Sequence, residues 1–376
     1  MTNATLESDP PFASRRWEVL IGTLIIAGIL GTLLSLEAML RFEDLRKFGA
    51  ADANVERLPL FYVDKTTNLR RLNPSRKLGG IASNRYGFRG PEIAAKSGGN
   101  IVQIAFLGNS TTFDPYSNET QNWPYLVTQK IAADLPRCKL EFINSGVPGA
   151  ATDRLALIFD TYVKPHNPDL TFLLTTDGDQ NMNIEAKAQR LTLFKPGNGS
   201  WLARHSLLFD KVTKNARILA LMRSAQSGVN RLQPDWPDLE SRFSKTMDEA
   251  VEKIAASGTR VVLITNANRL RREQSMEEQI SAAKSQLEFT PYATMSTLLE
   301  LQDRYNRVIS DTAGKFGAIL VGNGTSIPGT SRYYVDSNHF TPAGSQAMAE
   351  RVARELRGSA AYKQLLESLE RRCGAS

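Results

Sequence analysis

Five short and nearly continuous apolar runs constrain the fold of this chain more than any other feature. They lie at residues 101–107, 140–144, 170–176, 260–265 and 318–321, and amphipathic stretches separate them. Such runs are typical of parallel strands that helices cover on both faces. Helical patterns are clearest over residues 238–257 and 341–369. The alternation predicts a three-layer α/β/α sandwich with a mainly parallel sheet of about five strands.

A separate apolar stretch near the N-terminus, Val19 to Leu36, carries no charge. Its length of about 18 residues approaches the roughly 30 Å hydrocarbon core of a bilayer at 1.5 Å per residue. Basic residues flank it on both sides, with Arg15 and Arg16 before it and Arg41, Arg46 and Lys47 after it. The first pair favours a cytoplasmic N-terminus, and the second group counts against that orientation. We expect a single-pass signal anchor with the rest of the chain on the extracytoplasmic side.

Two other interpretations of this stretch remain. A cleavable signal peptide normally has an apolar region of about 7 to 15 residues followed by small residues, and Leu36-Glu37-Ala38-Met39 does not fit that pattern. A buried core helix is the other alternative, and the polar neighbours on both sides argue against it.

The predicted organisation follows from these segments. A short tail spans residues 1–16, the anchor 17–40, a proline-bearing stalk and lead-in segment 41–99, and the main α/β domain 100–370. Within the main domain, the glycine- and proline-bearing stretch near 190–237 is interpreted as an insertion that could cover a site.

Composition excludes several classes of protein. An apolar fraction of 41% and a charged fraction of 23% are ordinary for a folded domain and argue against disorder or a multi-span membrane protein. The net charge of +7 could attract anionic partners. Because the lysines and arginines are dispersed and form no recognised nucleic-acid module, we expect no nucleic-acid partner.

The chain has two cysteines, Cys138 and Cys373, too few for a disulfide framework or a CxxC motif, and whether they pair stays open. Its three histidines, His166, His205 and His339, include no close pair and no HExxH motif. We therefore expect no metal and no cofactor. His166 and His205 belong to no motif, and surface or packing roles are predicted for both.

Ser110 follows the first apolar run, in the sequence Phe106-Leu-Gly-Asn-Ser-Thr-Thr112. Ligands of doubly wound sheets bind beyond the carboxyl ends of the strands. A serine on such a strand-to-helix turn can present both its hydroxyl and its backbone N–H to a substrate, as a nucleophile requires. The alternative is a serine or threonine that only caps the next helix.

Asp336 stands three residues before His339, just ahead of a helical pattern. A short turn can bring the carboxylate to one ring nitrogen and so fix the tautomer, while the other nitrogen takes a proton from a serine. The alternative is a capping aspartate beside an ordinary surface histidine.

Taken together, these blocks resemble the SGNH/GDSL hydrolases. Phe106 to Thr111 resembles the nucleophile block, Asn144-Ser-Gly-Val-Pro-Gly149 the second block, and Asp336 to His339 the closing DxxH. Asn84-Arg-Tyr-Gly-Phe-Arg-Gly-Pro91 is similar to the NxxGFRG segment of membrane-anchored bacterial members, and Trp123-Pro124 agrees as well. The resemblance covers about residues 60–358.

The resemblance implies an oxyanion hole built from the N–H groups of Ser110 and Gly149 and from an asparagine side chain of a third block. In this chain the third block departs from the family, because the expected GxND falls on Thr176-Asp-Gly-Asp179 and places Gly178 at the asparagine. A shift of two residues would place Gln180 and Asn181 there instead. Asn109 also stands where the GDSL name has an aspartate.

The resemblance implies an ester hydrolase or acyl transferase with Ser110 as nucleophile, His339 as base and Asp336 as its orienting partner. Acetyl esters of envelope or secreted polysaccharide are the expected substrate class. The alternative is a membrane-tethered binding or assembly module that keeps the fold but has lost efficient catalysis.

Overall fold

A computed structural model describes residues 12–48, 60–65, 67–94, 100–175, 201–227, 234–291 and 293–375. Its centre is a five-stranded sheet in which every pairing is parallel. The strands are β5 (Ile101–Gly108), β6 (Lys139–Gly146), β7 (Leu170–Leu174), β8 (Arg260–Ile264) and β9 (Ile319–Val321), in the spatial order β6-β5-β7-β8-β9. The predicted α/β sandwich with a five-stranded sheet is confirmed.

The order reverses between β5 and β7, since the chain first adds β6 on one side of β5 and then continues on the other. In doubly wound sheets this switch point opens a crevice at the carboxyl ends of the strands. Ser110 comes two residues after the end of β5, so the topology places it at this crevice.

Helices cover both faces of the sheet. Along β5, Ala105 and Leu107 pack into the core on one face, while Ile104 and Phe106 pack into the core on the other. The first face carries α4 (Thr152–Ile158), α7 (Trp236–Ala255) and α10 (Met295–Phe316). The second carries α3 (Trp123–Asp134), α11 (Pro342–Gly358) and α12 (Ala360–Gly374). Burial on both faces explains why the strands are continuous apolar runs in the sequence.

The remaining helices are shorter or lie outside these layers. They are α1 (Phe12–Phe48), α2 (Ser110–Phe113), α5 (Trp201–His205), α6 (Leu207–Gln226), α8 (Met276–Ala282) and α9 (Gln286–Phe289). A π-helical turn at Phe159–Val163 and a 3-10 turn at Lys164–His166 extend α4. Helices α5 and α6 fall within the stretch interpreted as an insertion.

Helix α1 contains the apolar stretch and is long and apolar enough over Arg16–Arg46 to cross a membrane. It continues through residues 41–48, which the sequence assigns to the stalk. The lead-in segment then forms two small antiparallel hairpins, β1 (Phe61–Asp64) with β2 (Leu69–Leu72) and β3 (Lys77–Leu78) with β4 (Ile81–Ala82).

The helical pattern over 341–369 corresponds to two helices, α11 and α12, in the structure. Ser359 has an extended backbone, with φ −85° and ψ 126°, and its side chain accepts a hydrogen bond from the N–H of Tyr362. A serine cap of this kind competes with continuation of the helix. The second helix can therefore turn and pack on the sheet separately from the first.

Cys138 and Cys373 form a disulfide that links the start of β6 to α12. Their pairing could not be decided from the sequence, since 235 positions separate them. The bond ties the C-terminal helix to the amino ends of the strands, the edge of the sheet opposite the switch point.

Candidate active site

Ser110 is the first residue of the four-residue helix α2. Asn109 precedes it as the N-cap, and the side-chain oxygen of Asn109 accepts the N–H of Thr111 at 3.1 Å. Asparagine and aspartate are comparable caps, so Asn109 can make the same contact as the aspartate of the GDSL name. The backbone N–H at the first position of a helix has no acceptor within the helix. The N–H of Ser110 is thus suited to bind a negative charge.

Two glycines let this turn approach the sheet closely. A Cβ at Gly108 would lie 2.5 Å from the carbonyl oxygen of Leu174, and a Cβ at Gly146 would lie 2.3 Å from the backbone nitrogen of Phe113. Gly108 and Gly146 are register partners on β5 and β6. Any larger residue at either position would push α2 away from the strand ends.

The Asp336–His339 turn lies ahead of α11 and is closed by a hydrogen bond from the N–H of Val335 to the carbonyl of His339, at 2.9 Å. One carboxylate oxygen of Asp336 accepts the backbone N–H groups of Asn338 at 3.0 Å and His339 at 2.9 Å. The other oxygen lies 2.7 Å from the Nδ1 atom of the His339 ring. A spacing of three residues thus lets one carboxylate bind both the turn and the ring.

The three side chains meet across the fold. The Nε2 atom of His339 lies 2.7 Å from the Oγ atom of Ser110, although 229 positions separate them. With Nδ1 protonated toward Asp336, Nε2 is the acceptor for the serine proton. The His339 and Asp336 side chains are 20% and 25% exposed, so the pair is only partly shielded from solvent.

Electrostatics favour a charged Asp336. Burial by itself would raise the pKa of this carboxyl, but the His339 charge, the His339 ring hydrogen bond and the two backbone N–H groups outweigh it and hold the pKa below its usual value. The ring of Tyr116 meets the His339 ring edge-on at 5.8 Å. Burial, with the charge of Asp336, raises the pKa of Tyr116 to about 12, so its hydroxyl stays neutral beside the turn.

Side chains beneath α2 hold Ser110 in place. The amide of Asn144 donates to the carbonyl of Thr112 at 3.1 Å, and the indole N–H of Trp123 donates to the carbonyl of Thr111 at 2.9 Å. The second block of the resemblance and the Trp123-Pro124 pair therefore both contact the turn that carries Ser110.

Asp114 ends α2 in the left-handed region, with φ 55°, and its side chain is buried. One of its oxygens accepts the hydroxyl of Ser345 at 2.6 Å and the N–H of Trp123 at 3.1 Å. Burial raises the pKa of Asp114, and the nearby charge of Arg89 opposes that rise. Since Ser345 lies on α11, directly after the His339 turn, Asp114 links the two halves of the site.

The segment Asn84–Pro91 supports this arrangement from below. The Asn84 side-chain oxygen accepts the N–H groups of Tyr86 at 3.0 Å and Phe88 at 3.1 Å, which shapes a tight turn. The turn delivers Arg89, which is 1% exposed, to the carbonyl oxygens of Phe113, Asp114 and Ser117. Burial lowers the pKa of Arg89 to about 10.

Of the remaining candidates for the oxyanion hole, the structure describes Gly149 but not the residues of the third block. Gly149 lies in the loop after β6, where the N–H of Ala150 donates to the carbonyl of Val147 at 3.1 Å. Its φ of 77° suits the third position of a type II turn after Pro148. The closing hydrogen bond does not use the N–H of Gly149. Gly178, Gln180 and Asn181 lie outside the described residues, as does the rest of the third block after Thr175.

Sequence reasoning missed four supporting residues, namely Arg89, Asp114, Tyr116 and Ser345. Arg89 stands within a quoted motif, and an arginine between glycines next to the first strand is the signal that could have identified it. The other three belong to no pattern of spacing. The ring of His166 packs against Tyr86 and Phe88, and the ring of His205 packs against Trp201. These contacts agree with the surface or packing roles predicted for both histidines.

No protein-family model and no curated protein matches the sequence. Solved structures of similar fold include an acetylxylan esterase from Geobacillus stearothermophilus, 12% identical, covering 70% of this chain and 96% of that chain, with a TM-score of 0.42. A Parabacteroides merdae protein described as a GDSL-like lipase is 14% identical, covering 70% of this chain and 98% of its own, with a TM-score of 0.43.

A lipase/acylhydrolase from Enterococcus faecalis is 15% identical, covering 68% of this chain and 96% of its own, with a TM-score of 0.40. At these identities and TM-scores the likeness does not define the chemistry of this chain, which depends on its own residues.

Proposed function

We propose that this chain is a serine ester hydrolase of the SGNH/GDSL type. The observation that supports this proposal is the pair of 2.7 Å contacts that join Ser110, His339 and Asp336. Nucleophile, base and orienting carboxylate stand in the order required for acyl transfer. They lie at the crevice where doubly wound folds bind ligands.

In the proposed reaction, the Oγ atom of Ser110 attacks the ester carbonyl while Nε2 of His339 takes the serine proton. The tetrahedral oxyanion is held by the N–H groups of Ser110 and Gly149, with the amide of Gln180 or Asn181 as third donor. Collapse expels the alcohol, which takes the proton from His339, and leaves an acyl-Ser110 ester. Water then attacks this ester with His339 again as base, which releases the acid and regenerates Ser110.

The charge of Asp336 stabilises the imidazolium that forms in each half-reaction. We further propose acyl esters as substrates, first among them O-acetyl groups of envelope or secreted polysaccharide. Transfer of the acyl group to a sugar hydroxyl in place of water would use the same acyl-enzyme.

We also propose that α1 anchors the domain to a membrane, with residues 1–16 on the cytoplasmic side. The length and apolar character of α1 support a span, and Arg15 and Arg16 support the orientation. The Cys138–Cys373 disulfide adds an independent argument, because disulfides persist in oxidising compartments outside the cytoplasm. A reporter that works only outside the cytoplasm, fused after Ser376, should be active. An active cytoplasmic reporter at that position would reverse the orientation.

Labelling of the serine tests the hydrolase proposal. A fluorophosphonate probe should label the full-length protein, and Ser110→Ala should abolish labelling and hydrolysis of a small acetyl ester. Ser241→Ala, which removes an exposed serine on α7, is the matched control and should label normally. Labelling that survives Ser110→Ala would contradict the role of Ser110 as nucleophile, and absence of labelling in folded protein would favour the binding or assembly module.

A further inference from the structure

Exposed apolar side chains cluster on the two helices of the insertion. Trp201 and Leu202 on α5 are 66% and 51% exposed. On α6, Phe209, Val212 and Leu219 are exposed at spacings of three and seven residues, which places them on one helix face. The buried residues of α6 lie on a different face, at Leu207, Ile218, Leu221 and Ala225. The exposed face is therefore not the one that packs on the domain.

This apolar surface is joined to the membrane-spanning candidate α1. The carboxylate of Glu37 accepts the N–H groups of Leu207 at 2.9 Å and Leu208 at 2.8 Å, and thereby caps the N-terminus of α6. One turn later Arg41 donates to the carbonyl of His205 at 3.1 Å, and Asp44 pairs with Lys211 at 3.2 Å. Contacts on successive turns of α1 thus hold α5 and α6 beside its end.

The depth of this junction follows from the charge pattern of α1. Glu37 is the first charged residue after the uncharged run Val19–Leu36, so a spanning α1 brings it to the headgroup region. The N-terminus of α6 and the neighbouring α5 then lie at the same depth. Tryptophan is enriched at that depth because its ring is apolar and its N–H is polar. Met39 and Phe42 are exposed apolar residues of α1 beyond Glu37, on the side of the helix away from α5 and α6.

We propose that α5, the exposed face of α6 and the end of α1 form a surface that seats the domain on the bilayer, with Trp201 and Leu202 at the boundary between headgroups and acyl chains. Val212 lies beside the Asp44–Lys211 pair, further from the acyl chains and among the headgroups. This inference rests on the membrane anchoring proposed above. Lipid is the occupant because the surface is continuous with the spanning helix.

Helix α9 links α6, on a face other than the exposed one, to the candidate active site. Helix α6 contacts α9 through Lys214 and Arg217, which bind the carboxylate and the carbonyl of Glu288, each at 3.4 Å. At the start of α9, Ser285 donates to the hydroxyl of Ser337 at 2.8 Å. Ser337 directly follows Asp336 in the turn that holds His339. A domain seated through α6 therefore works on esters held near the bilayer.

Site-directed spin labelling of the full chain in phospholipid nanodiscs tests the seat. A single cysteine at Trp201→Cys should be more accessible to oxygen, which enriches in lipid, than to a water-soluble nickel chelate. Val212→Cys should have a nickel accessibility between those of positions 201 and 241. Ser241→Cys, exposed on α7, is the control and should show the reverse. Equal nickel accessibility at positions 201, 212 and 241 would overturn the proposal.

A label at Leu33→Cys, within the uncharged run, separates the two hypotheses. Lipid accessibility at 33 without lipid accessibility at 201 would leave the anchor intact and reject the seat. No lipid accessibility at 33 would reject the anchor and the seat with it. Spin–spin broadening at 201 that persists in discs holding two chains and vanishes in discs holding one would assign the surface to a second copy.

A functional measurement complements the labels. Trp201→Ser with Val212→Ser should hydrolyse a soluble acetyl ester at the parent rate, since neither residue contacts Ser110 or His339. On an acetyl ester carried by a lipid in the same disc, the double variant should be several-fold slower than the parent. Parent-like rates on both substrates would count against the seat.

Discussion

The guanidinium of Arg89 donates a hydrogen bond to the carbonyl of Phe113, the last residue of the helix that begins with Ser110. Two further carbonyls, those of Asp114 and Ser117, accept from the same side chain. Cations stabilise the carbonyl end of a helix, and α2 has only one turn with which to hold its own geometry. A buried arginine 21 positions before Ser110 in the sequence thus supports the orientation of that serine.

Arg89 is therefore a positioning residue, and its replacement should affect rate more than binding. Arg89→Met should lower kcat and the rate of fluorophosphonate labelling by roughly 10- to 100-fold, as misplacement by about 1 Å does, with KM nearly unchanged. It should also destabilise the fold by about 1–3 kcal/mol for each buried carbonyl that loses its donor, those of Phe113, Asp114 and Ser117. Arg85→Met, an exposed arginine of the same motif, is the control, and equal effects of the two single variants would contradict the role.

Asp336→Asn should reduce kcat by about 10⁴-fold, because the amide favours the wrong histidine tautomer and cannot stabilise the imidazolium. Steady-state kinetics on a small acetyl ester measure this effect. The exposed Asp153→Asn should react at the parent rate. A loss of less than about tenfold in Asp336→Asn would show that His339 does not depend on this carboxylate.

Steady-state kinetics on the same acetyl ester also test which residue is the third donor of the oxyanion hole. If Gln180 or Asn181 supplies it, alanine at that position should cost about 2.7 to 4 kcal/mol of transition-state stabilisation. Most of the loss should appear in kcat, because the oxyanion exists only in the transition state. Parent-like rates in both alanine variants would exclude these amides, and a gain in Gly178→Asn would then identify a hole with one donor missing.

Asp336 and Asp114 should give opposite dependences of stability on pH. The pKa of Asp336 is lowered in the fold. The stability that its ionisation contributes to the folded state is therefore present above the unfolded pKa of 3.8 and is lost as pH falls through the folded pKa. The pKa of Asp114 is raised in the fold. The stability that its protonated form contributes to the folded state is therefore complete below the unfolded pKa of 3.8 and is lost as pH rises through the folded pKa. Thermal unfolding between pH 3 and 8 measures both.

Relative to the parent, Asp336→Asn should be most destabilised at neutral pH and less so at acid pH. Asp114→Asn should be most destabilised at acid pH, and its free energy of unfolding should approach that of the parent as pH rises. The same trend in both variants would show that one of the two shifts has the wrong sign.

Loss of the disulfide should reduce stability without reducing the chemical rate. Cys138→Ser with Cys373→Ser should destabilise the fold by roughly 2–5 kcal/mol, because the bond constrains a very long loop of the unfolded chain. The kcat at 25 °C should stay at the parent value, since the bond lies at the amino ends of the strands. Reductant should lower the Tm of the parent and leave that of the double variant unchanged. A Tm insensitive to reductant in both would contradict the pairing.

The sequence predicted the sheet because each central strand is buried on both faces. Such strands need apolar residues throughout, and the observed strands at Ile101–Gly108 and Arg260–Ile264 begin where their apolar runs begin. Ser110, Asp336 and His339 were identified for a similar reason. Each lies in a short local pattern, a strand-to-helix turn or a DxxH turn, whose chemistry depends on neighbouring positions.

The tertiary structure decided what depends on distant positions. It brings Nε2 of His339 to Ser110 across 229 positions and pairs Cys138 with Cys373. It also buries Arg89 under α2, a location that the surrounding motif does not specify by itself. Local propensity acts over a few residues, whereas burial and long-range hydrogen bonds depend on how layers of the fold stack. For that reason the nucleophile and its base could be named from the sequence, whereas supporting residues that belong to no local pattern, such as Asp114 and Ser345, could not.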